Sequence, residues 1–594
     1  MAKLNDCKKN AISKESEKSE KIINFEKWLD SYLNFEKTPK KNIFWLETMK
    51  FFCQKFGNPE SAEPCFHVAG SKGKGSVSMF IASILKEAGL SAGLYTSPHI
   101  LDFLERVSLA GDRFSSEIYE KAADELMRTV EAVKDEELPG GRGITWFELV
   151  TIFAFLVFKQ AKTDFAVYEV GLGGRLDSTN VVNPVCACIG PIELEHTEFL
   201  GDTVEKIAAE KGGIIKPNSK VVIAKQAPSV RKVFEEIARQ RNAEVFFVDD
   251  EIKNLEFRIE KIPLEKEACG HKNNADALGS FSKENSIFNN SLTRTRDALG
   301  IGAAPQAFRS ANAGMEREDA EQRIARPERS EGNAQNQNKN HPLMSVSFEA
   351  KYFSRPIHAK LRMLGRFQAQ NAALAALAVK IALPEISEDT IEKGLSSAVL
   401  PARFEVVPSP ENYENIPYLV LDGAHTVNSE TFTMEAMKEA GLLGTDSKGT
   451  DSWTEKGSKD ADKKDKTDLS TEQADSDLIK ADSDFRKPAL LFACAADKDV
   501  KDIAPLFKGK FQKIFLTKPG SVKISDTKKM EDAFDGNGIP YDFNADFSSQ
   551  IKKALNFADE KKSVLLVTGS FYLVAEAKKI LLESQNAGAK QRNY

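Results

Sequence analysis

The stretch HVAGSKGKGSVSMF, residues 67–80, places three glycines and two lysines between an apolar run and a helical pattern. CFHVAG, residues 65–70, predicts a short buried strand. Residues 75–89 predict a helix that ends at Gly89 and carries on one face Val77, Phe80, Ile81, Ile84 and Leu85. A strand, a glycine turn and a helix in this order aim backbone N–H groups at an anion.

The glycine turn departs from the standard phosphate-loop pattern. That pattern has four residues between its first glycine and its Gly-Lys pair, and Ser or Thr directly after the lysine. Here only Ser71 and Lys72 precede Gly73-Lys74, and Gly75 separates the lysine from Ser76. The alternative is a tight turn with a solvated lysine. Because closely spaced glycines cost backbone entropy without adding packing, the pattern favours a phosphate site.

Further strands and helices alternate on the C-terminal side of this stretch. FAVYEV (165–170), VCACIGPI (185–192), KVVIAKQ (220–226) and AEVFFVDD (243–250) are apolar strands without strict alternation, separated by helical segments. This order predicts an α/β fold with a mostly parallel sheet covered on both faces. Near residue 401 a second, smaller α/β unit begins, with the strands YLVLDGAH, ALLFACAADKD, KIFLTKPG and SVLLVTGSFY.

Three polar segments interrupt these units. Residues 1–19 form a polar leader, residues 264–342 are rich in Asn, Ser, Arg and Ala, and residues 444–487 are dominated by Asp, Lys, Ser and Thr. None carries enough apolar residues to offset the entropy of ordering, so we predict disorder, with a partner-binding tail as the alternative. The predicted domains are therefore 20–400 and 401–594.

Composition excludes several classes of protein. The net charge of −6 over 594 residues argues against an electrostatic nucleic-acid binder. The seven cysteines are odd in number and form no C-x-x-C pair, which argues against a zinc site and fits a reducing compartment. The longest apolar run, residues 147–158, is interrupted by Glu148 and is too short for a membrane span. We expect a cytoplasmic protein that binds neither nucleic acid nor membrane.

Three other residues are candidates for chemistry from their own context. Glu169 ends an apolar strand, where open α/β sheets bind ligands, and a carboxylate beside a phosphate loop suits Mg²⁺. A structural acid in a turn is the alternative. His196 follows another strand and would flank the same crevice, although a strand-end histidine such as His67 is more often structural. Lys211, considered alone, is predicted to be a surface lysine on a helix.

A series of motifs, in order along the chain, resembles one enzyme family. HVAGSKGKGS resembles HVAGTNGKGS, YTSPHI resembles TSPHL, and EVGLGGRLDSTN resembles EVGLGGRLDATN. ELEHTEFLGDTVEKIAAEKGGIIKP is similar to LDHTDFLGDTLEKIAREKAGIIKP, and LGRFQAQNAALA, LPARFEVV, LDGAHTVNSE and VTGSFYLV follow. The family is the folylpolyglutamate synthase and dihydrofolate synthase group of the Mur ligase superfamily. The resemblance implies a P-loop-type ATP-binding domain over 20–400 and a glutamate-ligase domain over 401–594.

The resemblance also implies site residues. ATP would be bound by Gly70, Gly73, Lys74, Gly75, Ser76, Asn371, Arg403, Asp422 and His425. One Mg²⁺ would be held by Ser97 and Glu169, and a second by His196 and a carbamylated Lys211. This role replaces the prediction that Lys211 is only a surface lysine. The catalytic residues would be Lys74, Glu169, His196 and Lys211. The pterin-side substrate would contact Thr145, Trp146, Phe147, Glu148, Leu176, Asp177 and Ser178.

The activity implied is ATP-dependent addition of L-glutamate to a folate, to dihydropteroate, or to both, through an acyl phosphate. Two Mg²⁺ ions would assist, K⁺ is a further candidate cation, and we expect a monomer. The alternatives are a nucleotide-binding module with weakened catalysis and another Mur-type amino-acid ligase. The departures from the family pattern concern nucleotide positioning: Ser71, Lys72, Glu195, Phe367, Ala402, Thr426 and Val427.

Overall fold

The computed structural model describes residues 18–34, 45–259, 342–408, 410, 412–443, 487–521 and 524–591. Contacts divide the chain into two compact units, Met1–Glu405 and Val406–Tyr594. This division lies a few residues after position 401, where the sequence places the boundary. Nearly all of the predicted leader and of both predicted insertions lies outside the described residues.

A seven-stranded sheet with the order β3-β2-β4-β1-β5-β6-β7 organises the first unit. Its strands are β1 (Cys65–Ala69), β2 (Ala92–Tyr95), β3 (Val107–Ser108), β4 (Phe165–Glu169), β5 (Cys186–Ile189), β6 (Lys220–Ile223) and β7 (Glu244–Phe247). All neighbouring pairs are parallel except β2 with β3. The predicted mostly parallel sheet is confirmed.

Helices connect and cover these strands. In the first unit they are α1 (Glu20–Leu29), α2 (Glu47–Lys55), α3 (Lys74–Glu87), α4 (Ser116–Glu131), α5 (Trp146–Ala161), α6 (Thr197–Leu200), α7 (Val204–Lys211), α8 (Pro228–Gln240), α9 (Val248–Glu251), α10 (Arg366–Ala382) and α11 (Glu388–Ser397). No helix among the described residues combines the length and the apolar character that crossing a bilayer requires.

Helix α3, which follows the glycine turn, is more deeply buried than its sequence predicts. Residues 75–85 are all buried, including Ser76, Ser78 and Ser83. The helix lies between the sheet and helices α10 and α11, which follow far later in the chain. The five apolar residues predicted on one face are all buried, and covering helices from remote sequence enclose the polar face as well. Gly89 has a φ of +77° just after the helix, as its predicted role requires.

A three-stranded antiparallel sheet was not predicted. It has the order β10-β9-β8 and consists of β8 (Lys253–Ile259), β9 (Met344–Glu349) and β10 (Ile357–Leu361). Ile259 pairs with Met344, so the two ends of the first insertion meet at one edge of this sheet. The alternating burial of β9 and β10 is a period-2 signal that the sequence contains.

The second unit has its own six-stranded sheet with the order β11-β12-β16-β13-β14-β15. Its strands are β11 (Glu405–Pro408), β12 (Tyr418–Leu421), β13 (Ala489–Phe492), β14 (Lys513–Leu516), β15 (Asp542–Phe543) and β16 (Leu565–Thr568). Its helices are α12 (Val427–Glu439), α13 (Val500–Ile503), α14 (Thr527–Gly536), α15 (Phe547–Lys561) and α16 (Phe571–Gln591). The pairs from β12 to β15 are parallel, which confirms a second α/β unit.

Candidate active site at the C-terminal edge of the first sheet

The candidate site forms where the three central strands β4, β1 and β5 end. Parallel strands bring their C-terminal ends to one edge, where open α/β sheets bind ligands. Gly70 follows β1, Glu169 is the last residue of β4, and Gly190 follows β5. These three chain segments therefore lie side by side.

The glycine turn makes close backbone contacts that side chains would prevent. Gly73 has a φ of +77°, and a Cβ there would lie 2.4 Å from Asn371 Oδ1. A Cβ on Gly70 would lie 2.9 Å from the Cα of Gly190. Helix α3 starts directly after Gly73, so the N–H groups of its first turn have no acceptor within the helix and are directed at the turn.

Two lysine ammonium groups converge on this turn. Lys74 Nζ and Lys211 Nζ each donate a hydrogen bond of 3.0 Å to the carbonyl oxygen of Gly70. Lys211 also donates to Glu195 Oε1 at 2.7 Å. Because Lys211 is 1% exposed, the prediction that it is a surface lysine is wrong. Burial, followed by the charge of Lys74, lowers the pKa of Lys211 to about 8. A buried amine of reduced basicity is more readily converted to the neutral form.

Glu169 lies beside the same helix start. It is 3% exposed, and its Oε2 accepts a hydrogen bond of 2.9 Å from Ser97 N. A Cβ on Gly75 would lie 3.5 Å from that oxygen. Burial raises the pKa of Glu169, while the positive charges of Lys74 and Arg403 oppose the rise. The site thus holds a desolvated carboxyl group among cations.

His196 occupies a different environment. It is exposed, has a φ of +45°, and precedes α6. The carboxylate that contacts Lys211 belongs to Glu195, the residue before this histidine. Among the described residues no group of three or more His, Cys, Asp or Glu side chains forms a ready metal cluster.

The first predicted substrate segment packs against the loop that carries the second. Thr145 caps α5, and its N and Oγ1 both donate to Glu148 Oε2 at 2.8 Å. The partly buried ring of Phe147 packs against Gly171, where a Cβ would lie 2.4 Å from the Cζ of that ring. The start of α5 and the loop after β4 therefore line one region.

Asp177 braces the loop that follows β4. Its Oδ2 accepts from Leu172 N at 2.9 Å, and its Oδ1 accepts from Thr179 N and Thr179 Oγ1 at 3.0 and 2.6 Å. Asp177 and Ser178 are buried, whereas Leu176 is partly exposed. Among the predicted substrate residues in this loop, Leu176 is the most accessible.

The second unit contains the other two predicted nucleotide residues. Asp422 directly follows β12, and its Oδ2 accepts a hydrogen bond of 2.6 Å from Thr433 Oγ1. His425 Nδ1 lies 2.7 Å from the carbonyl oxygen of Gly423, and the ring packs edge-on against Phe571. Both residues lie at the C-terminal edge of the second sheet.

Comparison with known proteins assigns the family. No protein-family model matches the chain. The dihydrofolate synthase/folylpolyglutamate synthase of Bacillus subtilis is 30% identical over 417 residues, which are 69% of this chain and 75% of that protein. The chain belongs to the dihydrofolate synthase/folylpolyglutamate synthase family.

Two other comparisons agree with this family. A probable bifunctional folylpolyglutamate synthase/dihydropteroate synthase of Haloferax volcanii is 27% identical over 64% of this chain, which spans only 35% of that longer relative. The structure of Mycobacterium tuberculosis folylpolyglutamate synthase complexed with ADP superimposes with a TM-score of 0.64 at 20% identity, covering 94% of this chain and 98% of that one. This structural likeness shows the shared fold.

The structure accounts for several departures from the family pattern. Ser71 Oγ donates to the carbonyl oxygen of Glu193 at 3.1 Å and accepts from its N at 3.0 Å, contacts that the family's threonine could also make. Ala402 has a φ of +57°, the conformation that suits the family's glycine. Glu195 reaches Lys211, and Thr426 caps α12 by accepting from Ser429 N. Nothing in the structure explains Lys72.

Arg106 lies beside the site and was not predicted to do so. Its guanidinium is fully buried, its Nε donates to His99 Nδ1 at 2.8 Å, and its Cζ lies 4.9 Å from the ring of Trp146. It therefore connects the loop after β2 with the start of α5. The segment LDFLERVSL carries three charged residues, so no local pattern distinguishes Arg106 from a solvated arginine.

Proposed function

We propose that this chain is an ATP-dependent ligase that joins the amine of L-glutamate to the carboxylate of a folate. The observation that carries the proposal is the convergence of Lys74, Lys211 and the buried Glu169 on one glycine turn at the C-terminal edge of the parallel sheet. This arrangement suits a phosphoryl transfer, which depends on positioning and charge stabilisation rather than on a protein nucleophile.

In the first step, an oxygen of the substrate carboxylate attacks the γ-phosphorus of ATP. The bond to the β-phosphate oxygen breaks, ADP leaves, and an acyl phosphate forms. The N–H groups at the start of α3 bind phosphate oxygens, and the ammonium of Lys74 balances charge on the transferred group. Asn371 and Arg403 are proposed nucleotide-binding residues of the first unit. Asp422 and His425 are proposed nucleotide-binding residues of the second unit.

In the second step, the amine of glutamate attacks the acyl carbon. A tetrahedral intermediate forms, the carbon–oxygen bond to phosphate breaks, and phosphate leaves with that oxygen as the amine loses its proton. Phe147, Leu176 and the start of α5 are proposed to orient the folate so that its carboxylate faces the glycine turn. Correct orientation of the reacting groups can lower the activation free energy by several kcal/mol.

The residues fit one Mg²⁺ directly. Glu169 offers a buried carboxylate that accepts a hydrogen bond from Ser97 N, and the Ser97 hydroxyl would add a second hard oxygen donor. Mg²⁺ commonly combines one or two carboxylates with phosphate oxygens. Mg²⁺ would neutralise phosphate charge during transfer. The second set, His196 and Lys211, fits only if Lys211 is carbamylated, because an ammonium donates hydrogen bonds and cannot bind a metal. K⁺ stays an additional candidate.

The test is direct ligation. The purified protein is incubated with ATP, Mg²⁺ and L-glutamate, separately with tetrahydrofolate and with dihydropteroate, and products are identified by mass. Added glutamate on tetrahydrofolate alone indicates a polyglutamylating enzyme, and products from both acceptors indicate a bifunctional enzyme. If neither acceptor gains glutamate while ATP still binds, the ligase proposal is overturned and a nucleotide-binding module takes its place.

Three further assignments belong to the same proposal. We propose that the first unit binds ATP and the folate, that the second unit supplies the glutamate-ligase part, and that the protein acts as a cytoplasmic monomer. Sedimentation of the active protein with its substrates checks the last point. A stable dimer at catalytic concentration would contradict it.

A further inference from the structure

A buried histidine lies beneath the loop that follows β4. His67 is on β1, three positions before Gly70, and its side chain is fully buried. Its Nε2 lies 2.7 Å from Thr179 Oγ1. Thr179 is also fully buried and belongs to the 3₁₀ turn Ser178–Val181, which begins at the predicted substrate residue Ser178.

The direction of this hydrogen bond follows from its neighbours. Thr179 Oγ1 donates its single hydrogen to Asp177 Oδ1 at 2.6 Å, since the carboxylate is an acceptor. The same oxygen must then accept from His67 Nε2–H. Burial lowers the pKa of His67 to about 3, so the ring is neutral, and its Nδ1 is a buried acceptor without a partner among the described residues. The histidine thus keeps one donor and aims it at the loop.

The loop is fixed from a second direction as well. Asn180 Nδ2 donates to the main-chain carbonyl oxygens of Arg175 and Gly213 at 3.0 and 3.2 Å. The main-chain carbonyl oxygen of Asn180 accepts from Lys216 Nζ at 2.7 Å. These contacts tie the loop to the segment that follows Lys211. The contact from His67 ties it to the strand that leads into the glycine turn.

We propose that His67 is a positioning residue that, through Thr179 and Asp177, holds the folate-binding loop in register with the phosphate-binding turn. This inference rests on the proposed function for the roles of the two loops. His67 and Gly70 belong to one continuous stretch of β1 and its turn, so the contact fixes the distance between the two loops. His67 itself is proposed to contact neither the substrate nor the nucleotide.

Registration of this kind matters for the first chemical step. An in-line attack on the γ-phosphorus requires the acceptor carboxylate to approach within about 3–3.5 Å in a defined direction. A loop released by a fraction of an ångström can still bind folate, but it presents the carboxylate less often in the reactive geometry. Loss of the contact should therefore lower kcat more than it raises KM for ATP.

Two amide variants test whether the hydrogen bond to Thr179 is required, or only a polar side chain at position 67. In His67→Gln the side-chain amide nitrogen extends to about the position of Nε2 and can donate to Thr179. In His67→Asn the shorter amide reaches only the position of Nδ1. Thr179→Val removes the shared hydroxyl with little change in shape. Thr163→Val is the matched control, because Thr163 is also buried and its Oγ1 has no hydrogen-bond partner among the described residues.

We expect His67→Asn and Thr179→Val each to lower kcat by about 10-fold or more with KM for ATP changed less than threefold, and the double variant to lose no more than the worse single variant. His67→Gln should recover most of the activity, and Thr163→Val should match the wild type. Equal losses in the Gln and Asn variants, or additive losses in the double variant, would overturn the proposal.

A readout that needs no catalysis separates this inference from the proposed function. Amide hydrogen exchange over residues 171–181, measured without substrates, should be at least several-fold faster in His67→Asn than in His67→Gln. If the wild type exchanges slowly but ligates nothing, the proposed function fails and the contact stands as a structural one only. If exchange in the Asn and Gln variants is the same, the positioning role fails whatever the activity. Thr179→Val supplies the same measurement should His67→Asn not fold.

Discussion

Two fully buried glutamates, one in each unit, lie at the C-terminal edges of parallel sheets in opposite electrostatic settings. Glu169 accepts a backbone hydrogen bond from Ser97, and the charges of Lys74 and Arg403 act on it. Glu430, on the first turn of α12, accepts only from Thr568 Oγ1 at 3.0 Å, and its Oε2 has no hydrogen-bond partner among the described residues.

The difference lies in the charges around each carboxyl group, which are cations at Glu169 and another acid at Glu430. Burial raises the pKa of both groups, but cations oppose the rise at Glu169, whereas the negative charge of Asp422 adds to it at Glu430. Cations beside a buried acid preserve its charge for a metal ion. A neighbouring acid adds to the effect of burial at Glu430, raises its pKa further and so favours the neutral form.

The largest expected effect is on Glu169. Glu169→Gln removes the charge while keeping the shape, and it should lower kcat by about 10³-fold, because charge-stabilising groups at such sites contribute two to three orders of magnitude. The variant should remain folded, since a neutral amide is easier to bury. Steady-state ligation rates at saturating Mg²⁺ measure the effect. Activity within tenfold of the wild type would remove Glu169 from the catalytic site.

A slightly smaller loss is expected for Lys74. Lys74→Ala removes the ammonium that both influences Glu169 and faces the glycine turn, and kcat should fall by about 10²-fold or more. Lys86→Ala is the control, because Lys86 lies at the other end of α3 and pairs with Asp112 on the surface. Near-normal turnover in Lys74→Ala would remove the phosphate-loop assignment.

The comparison also shows what the sequence could and could not predict. The succession of strands and helices along the chain, the glycine turn and the place of Glu169 at a strand end follow from local pattern, because apolar runs and glycine spacing are properties of neighbouring residues. The burial of Lys211 and Glu430 does not, because it depends on segments far away in the chain. Arg106 was missed for the same reason, whereas the period-2 pattern of β9 and β10 is present in the sequence and was overlooked. Lys211 entered the site only through the family resemblance.

Glu430→Gln should change stability rather than activity. Because the folded-state pKa of Glu430 is raised, this group contributes its full stability below the unfolded-state pKa of about 4.3. That contribution is lost as the pH rises from the unfolded-state pKa to the folded-state pKa, by about 1.4 kcal/mol for each pH unit between them. The amide does not titrate, so the variant should unfold at a higher temperature than the wild type at pH 8. This gain should shrink towards pH 4.5. Thermal unfolding across this range is the measurement.

The control for this prediction is Glu435→Gln on the same helix. Glu435 is exposed, so its replacement should shift the unfolding temperature by the same small amount at every pH. A Glu430→Gln variant that is less stable than the wild type at pH 8 would contradict the raised pKa of Glu430.

The smallest effect is expected from shortening the first insertion. Deleting residues 266–340 should leave kcat within about twofold, because Ile259 and Met344 are paired across β8 and β9 and a short connection can join them. Neither buried glutamate lies near this connection in sequence. Ligation rate and folding are measured together. A folded but inactive deletion variant would assign a function to the insertion.

The most direct test of the central claim follows oxygen rather than glutamate. Tetrahydrofolate labelled with ¹⁸O in the acceptor carboxylate is incubated with the protein, ATP, Mg²⁺ and L-glutamate, and the released phosphate is analysed by mass. Attack of the carboxylate on the γ-phosphorus predicts one ¹⁸O in each phosphate released. Phosphate without ¹⁸O, formed while glutamate is being added, would contradict the acyl phosphate and with it the role assigned to the glycine turn.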